Sequence, residues 1–232
     1  MMGKQIKLQL SKTKVDKKTV SEINEEAGFT IVESLVAILV VTILLAAIAP
    51  VLSLSVATRV QSRRVELATQ AAKAYIDAVR TQKITAPAET GTSTPATYSA
   101  PTATGTLTCT ANSYCTAPTG TSLYCVDLDS TNSCETSSLT DMVVQAFRYN
   151  PNNSNTNNPV TGYTLGLRLY RADAFKTSTT LIKNTATSQA TQRTFSLGIG
   201  QPTAPLVEMT ADVSDIVPKY SDLCARFSGG CN

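Results

Sequence analysis

The chain has no histidine and no tryptophan among its 232 residues. The missing histidine excludes most hydrolytic designs, because serine and cysteine nucleophiles usually borrow a histidine base. It also excludes the common zinc sites, which use histidine or closely paired cysteines. No two cysteines are spaced as CxxC, so zinc ribbons and thioredoxin-type redox sites lack support as well. The chain therefore reads as a non-enzyme, with no catalytic residue, cofactor or metal expected. Charge is scarce and nearly balanced, 20 basic against 17 acidic residues for a net of +3. That is no basic surface for nucleic acid, and none is expected as a partner.

What charge there is lies unevenly. Residues 1–28 hold six lysines (Lys4, Lys7, Lys12, Lys14, Lys17, Lys18) and four acids (Asp16, Glu22, Glu25, Glu26). An apolar segment then begins abruptly. Ser34 to Leu54 is a run of 21 residues without a formal charge, rich in Val, Ile, Leu and Ala, and about 20 such residues span a bilayer core. The polar stretch before it is too long and too charged for a standard signal peptide. The lysines ahead outnumber Arg59, Arg63 and Arg64 behind, which favours a cytoplasmic N-terminus.

The helix is expected to continue beyond the apolar run. Arg59 to Lys83 contains no Gly or Pro and many helix formers. Val60, Leu67, Ala71, Ala74, Tyr75 and Ala78 recur at three- and four-residue steps as a narrow apolar stripe. One helix over residues 29–83 is predicted, roughly 80 Å long at 1.5 Å per residue, with residues 29–56 in the membrane and 57–83 amphipathic. Pro50 within it predicts a kink or a locally broken ladder. Residues 84–140 are rich in Thr, Ala, Ser and Pro and read as a long loop. Residues 141–232 read as an antiparallel sheet domain with a tail. Its strand candidates are Met142–Tyr149, the alternating "YTLGLRLYR" at 163–171, Arg193–Ile199 and Ala204–Val213. The Asn-rich stretch 150–158 reads as the tip of a hairpin. The fold class is α+β.

Six cysteines stand at 109, 115, 125, 134, 224 and 231. An even number in a translocated domain suggests disulfides. Sequence neighbours would give Cys109–Cys115, Cys125–Cys134 and Cys224–Cys231, but six cysteines allow many connectivities, and buried reduced thiols are the alternative. "DLDSTN" at 127–132 spaces Asp127, Asp129 and Thr131 as a calcium loop does. It lacks that loop's glycine and distal glutamate, so a turn between Cys125 and Cys134 is the expectation.

Glu33 is the one acid between Gly28 and the end of the apolar run, and a carboxylate in hydrocarbon costs a few kcal/mol on insertion scales. A glutamate stabilised by the dipole of a helix N-terminus is its simplest reading. It stands, however, in "GFTIVE". Gly28 is a small, flexible residue at the junction of polar leader and apolar helix, where a peptidase finds backbone it can enter. Gly28, Phe29, Thr30, Ile31, Val32 and Glu33, followed by the apolar helix, resemble the start of type IV prepilins and pseudopilins. Pro50 also sits where many type IVa pilins carry a helix-disrupting proline. The acids Glu25 and Glu26 depart from the basic leaders common in the family.

The resemblance implies a leader, residues 1–28, removed after Gly28 by a prepilin peptidase. It implies that Phe29 becomes the N-terminal residue and is N-methylated, and that Glu33 pairs with the N-terminal amine of a neighbouring subunit during assembly. The implied fold is pilin-like, a long N-terminal helix packed on a C-terminal antiparallel sheet. The implied partners are the peptidase, other pilin or pseudopilin subunits, an inner-membrane assembly platform and membrane lipid. The implied location is the inner membrane, single-pass, with the C-terminal domain periplasmic or extracellular, and a pilus-like fibre after processing. "VLSLSVATRVQSRRVELATQAAKAYIDAVR" further resembles cyanobacterial pseudopilins of hormogonium polysaccharide secretion, which implies polysaccharide export and gliding motility. The alternative is a single-pass, membrane-anchored surface-binding protein, an adhesin or receptor that does not polymerise.

Overall fold

The computed structural model describes residues 30–150, 162–192, 201–214, 219–225 and 229–231. The element order is α1 (Ile31–Arg80), β1 (Leu123–Val126), β2 (Met142–Tyr149), β3 (Tyr163–Arg171), a 3-10 turn (Ala172–Phe175), β4 (Val207–Val213) and α2 (Tyr220–Ala225). The layout is thus α+β. The chain divides into two compact units, residues 1–47 and 48–232.

In the first unit, the described residues from Ile31 onward are helical and all exposed. The second unit is built on a sheet in the order β1-β2-β3-β4, with every neighbouring pair antiparallel. Leu123 faces Gln145 across β1 and β2, Leu167 faces Ala146 across β2 and β3, and Leu167 faces Met209 across β3 and β4. β2 and β3 are buried almost throughout, so both faces of the central strands are covered.

One face takes α1. Alternation sends Tyr163, Leu165, Leu167 and Leu169 of β3, with Met142, Val144 and Ala146 of β2, against Ala68, Ala71, Ala72, Tyr75, Ile76 and Val79. The packing stripe is rotated from the expected one. Ala68, Ala72, Ile76 and Val79 are buried, whereas Val60 and Ala74 are exposed. Alanines at 68, 71 and 72 place little side chain between helix and sheet, and the larger Tyr75, Ile76 and Val79 fill the layer toward the helix end.

α1 ends at Arg80 rather than Lys83. Gln82 adopts a positive φ of 57°. Its amide donates to Val79 O at 3.0 Å, and the Lys83 amide donates to Ala78 O at 2.9 Å. This is a Schellman cap, a stop that glycine usually signals in sequence; with glutamine in that position the stop is silent. The helix runs through Pro50 without interruption. Proline has no N–H for the carbonyl one turn back, so one rung of the ladder is missing there.

The other face is covered by the long Thr/Ala/Ser-rich segment. Ala100, Ala103 and Cys109 from it pack with Leu123, Cys125, Val143, Tyr170, Phe175 and Leu181. β1 arises inside this segment, and its four residues are too short to leave a periodic signal. α2, six residues in what reads as a tail, was equally unmarked. β4 begins at Val207, three residues after the expected Ala204. Gly166 faces Phe147 across β2 and β3, and a Cβ there would lie 2.5 Å from the ring. The glycine gives the aromatic ring its place in the layer. The strand expected at Arg193–Ile199 and the hairpin tip at 150–158 lie outside the described residues, apart from Asn150, which is buried.

Candidate functional site

The first candidate is the start of α1. Thr30 caps it: its Oγ1 accepts the Glu33 amide at 3.2 Å, and its carbonyl accepts the Ser34 amide at 3.1 Å. Glu33 therefore occupies the third position of the first turn, where the dipole and the free amides favour an anion. Gly28 and Phe29 lie outside the described residues.

From Ile31 onward the helix presents large apolar side chains on every side. Ile31, Leu35, Ile38, Ile43, Leu45 and Leu52 are all more than half exposed. Four hydroxyls in this stretch bond back onto the helix. Ser34 Oγ donates to Ile31 O at 2.8 Å, Thr42 Oγ1 to Leu39 O at 2.8 Å, Ser53 Oγ to Ala49 O at 3.1 Å and Thr58 Oγ1 to Ser55 O at 2.9 Å. A segment that turns hydroxyls onto its own backbone and exposes mainly hydrocarbon is suited to lipid. The helix is long and apolar enough to cross a membrane, and none of its most apolar window is buried within the molecule.

The six cysteines form three disulfides between sequence neighbours, Cys109–Cys115, Cys125–Cys134 and Cys224–Cys231. The first two fasten the segment that covers the second face of the sheet.

A polar clamp holds the same layer, and sequence reasoning missed it. Arg168, fully buried on β3, donates from Nη1 to Gln145 Oε1 at 2.8 Å and to Ser99 O at 3.3 Å. Its Nη2 donates to Tyr98 O at 2.9 Å and also to Pro95 O. Lys183 Nζ donates to Ala96 O at 2.8 Å, Thr97 O at 3.0 Å and Tyr98 O at 2.9 Å. Five successive carbonyls, 95 to 99, thus face two cations. Glu208 Oε2 approaches Arg168 Nε at 3.4 Å from β4. Burial pushes the Glu208 carboxyl up, and Arg168 pulls only part of the way back. The one available signal was an arginine at an inward position of a strand; its partners are about 70 residues away in sequence, beyond any local pattern.

On the helix side the polar atoms within the apolar cluster are tyrosine hydroxyls. Tyr114 donates to Thr85 O at 2.8 Å, so Tyr75 is the donor in the 2.7 Å contact between the two hydroxyls. Burial pushes the Tyr75 phenol strongly up, reinforced by Tyr114.

The "DLDSTN" stretch follows β1 directly and turns the chain at the start of the connection to β2. Asp127 Oδ1 accepts the amides of Asp129 at 3.0 Å and Ser130 at 2.7 Å, and Oδ2 accepts the Asn132 amide at 2.8 Å. The hydroxyls of Thr131 and Ser138 hold Asp129 below the usual carboxylate range. The start of β2 brings a third carboxylate, Asp141, to the same place; burial pushes this one up.

These features define an α+β protein with a membrane-capable N-terminal helix and a disulfide-fastened antiparallel sheet. No family model matches the chain, and no curated protein or solved structure matches it.

Proposed function

We propose that the chain is a pilin-like structural subunit, a minor pilin or pseudopilin of a type IV pilus-like or secretion machine. On this reading the prepilin peptidase cleaves after Gly28, Phe29 becomes the methylated N-terminus, and the apolar half of α1 anchors the subunit in the inner membrane before packing in a filament. The observation that carries the reading is the placement of Glu33. It stands in the first turn of a helix whose following residues are exposed and apolar on every side. When such helices bundle in lipid, that carboxylate needs a cationic partner, and the amine freed beside Phe29 of a neighbouring chain supplies one. The domain beyond the membrane carries partner specificity, and polysaccharide export and gliding are the processes the finer resemblance points to.

Mass spectrometry of the protein from its own membrane tests this. The expected mature chain begins at methylated Phe29 and depends on the prepilin peptidase. An intact leader in cells with active peptidase would falsify the reading. Glu33→Ala is expected to leave membrane insertion unchanged and to remove the subunit from purified filaments.

A second reading, a non-polymerising membrane-anchored surface-binding protein, is favoured by one contact. With Thr30 capping the helix, Glu33 sits at a position that stabilises an anion without any second chain. An unprocessed N-terminus together with a Glu33→Ala phenotype limited to helix stability would select it.

A further inference from the structure

The rotated packing stripe leaves one face of α1 unspent. Val60 is exposed, with Arg59, Arg63, Arg64 and Leu67 around it at helical spacing. Leu139, 57% exposed in the segment between β1 and β2, stands across from them with Met142, the first residue of β2. Between the two sides runs a groove of about 400 Å³ whose walls are mostly hydrocarbon. Sites for small ligands run roughly 300–1,000 Å³.

The rim of this groove is cationic and short of counter-charge. Among the described residues no carboxylate ion-pairs with Arg59 or Arg64, and Arg63 pairs with Glu66 of its own helix at 2.8 Å with both ends exposed. Arg171, at the end of β3, is bonded to Asp173. Burial and the Arg171 cation push the Arg64 guanidinium down, and Asp173 does not make up the difference. Arg59 is also the first charged residue after the apolar run, five positions beyond Leu54. With that run in hydrocarbon, about 8 Å of further helix brings the guanidiniums to headgroup depth.

We propose that this groove is a site for one anionic phospholipid, whose phosphate is held by the arginines and whose acyl chain lies along Val60, Leu67 and Leu139. Guanidinium forks match phosphate oxygens two at a time. A free phosphate would use the arginines and leave Val60 and Leu139 in water. An apolar peptide would cover those two and leave the arginines unmatched. A phospholipid answers both. The inference rests on the membrane anchor, which both readings of function share, and is independent of whether the chain polymerises.

The test places a single tryptophan in a chain that has none. Full-length Leu139→Trp is reconstituted into vesicles of phosphatidylcholine and phosphatidylglycerol, with bromine on the acyl chains of one lipid or the other. The expected result is quenching with at least about fivefold preference for phosphatidylglycerol, the contribution of one arginine at an anionic surface. Ile43→Trp, in the middle of the apolar run, should be quenched by both lipids alike. Arg59→Gln with Arg64→Gln, added to Leu139→Trp, should abolish the preference and leave flotation with vesicles unchanged. Equal quenching at Leu139→Trp, the same preference at Ile43→Trp, or a preference that survives the arginine replacements would each overturn the site. Loss of quenching as the protein-to-lipid ratio rises would overturn it too, and would assign the groove to a second copy of the chain. Failure of the chain to float with vesicles would overturn the anchor and the site together.

Discussion

The two faces of the sheet are buried by opposite means. The helix side is closed by Ala68, Ala72, Ile76 and Val79 against leucines and tyrosines, with no charged residue in the buried cluster. The loop side is closed by a segment of Thr, Ala, Ser and Pro, two disulfides, and the buried Arg168 with Gln145 and Glu208. The difference follows from what each covering element does with its own backbone. A helix satisfies its amides and carbonyls internally and offers only side chains. An irregular segment brings bare carbonyls to the interface, and those need donors before they can leave water. Arg168 and Lys183 supply donors to five carbonyls in succession, and the disulfides restrict a segment with little apolar area to bury.

The largest effect is expected from removing the clamp. Arg168→Met keeps the length of the side chain but leaves the Pro95 carbonyl and Gln145 Oε1 without this donor, removes one of two donors from the Tyr98 and Ser99 carbonyls, and takes the cation from beside Glu208. Breaking a buried charged network from one side costs about 3–5 kcal/mol. Denaturant unfolding of the domain measures it. Hydrogen exchange then tests the contrast between faces: residues 95–103 should lose protection while Ala68 to Val79 retain theirs. Equal loss on both faces would show that the two layers fold as one and that the division is only geometric.

The same contrast explains what was legible in sequence. β2 and β3 were readable to the residue, because Tyr163, Leu165, Leu167 and Leu169 alternate and β2 is dense in β-branched and aromatic residues. The covering helix was readable as a helix, but its facing was not: two stripes compete in an alanine-rich segment, and volume at Ile76 and Val79 decides between them. The loop layer was readable only as a loop. Its contacts run from residue 99 to 168 and from 96 to 183, and no local period encodes them. For the candidate sites, the neighbour spacing of the cysteines suggested the pairs found here. Glu33 was visible as an anomaly, while its Thr30 cap needed the helix start to be placed. The meeting of Asp141 with Asp127 and Asp129 had no local signal, because only the register of β1 on β2 brings the three together.

A smaller effect is expected from the Cys125–Cys134 bridge. Replacing both with serine reopens a short loop, the partners being nine positions apart in sequence, and costs about 2–4 kcal/mol. The loss should fall on the loop side. The protease sensitivity of residues 127–140 should rise, while the Tyr75, Tyr114 and Tyr124 cluster under the helix keeps its near-ultraviolet circular dichroism signal. A collapse of that signal at the same denaturant concentration as the cleavage would erase the distinction between a helix that holds itself and a loop that must be tied.

The smallest effect is one of pH, and its sign separates burial from pairing at Glu208. Burial raises this carboxyl above its ordinary value, and the nearby Arg168 offsets only part of that. The folded chain therefore holds the proton more tightly than the unfolded chain does. The resulting stability is complete below the ordinary carboxylate range and is lost as pH rises through the higher, folded value. Glu208→Gln preserves shape and removes the titration. The variant's unfolding free energy minus that of the wild type should rise with pH from about 4 and level off once the folded carboxyl has ionised. Taking this difference also separates Glu208 from Asp141, a second carboxyl on the loop side that burial raises. The helix-side cluster contains no carboxylate, and its buried Tyr75 is pushed far above this range. A difference that falls with pH would mean that the pair with Arg168 outweighs burial, and that the loop face gains from its charges rather than merely tolerating them to satisfy its carbonyls.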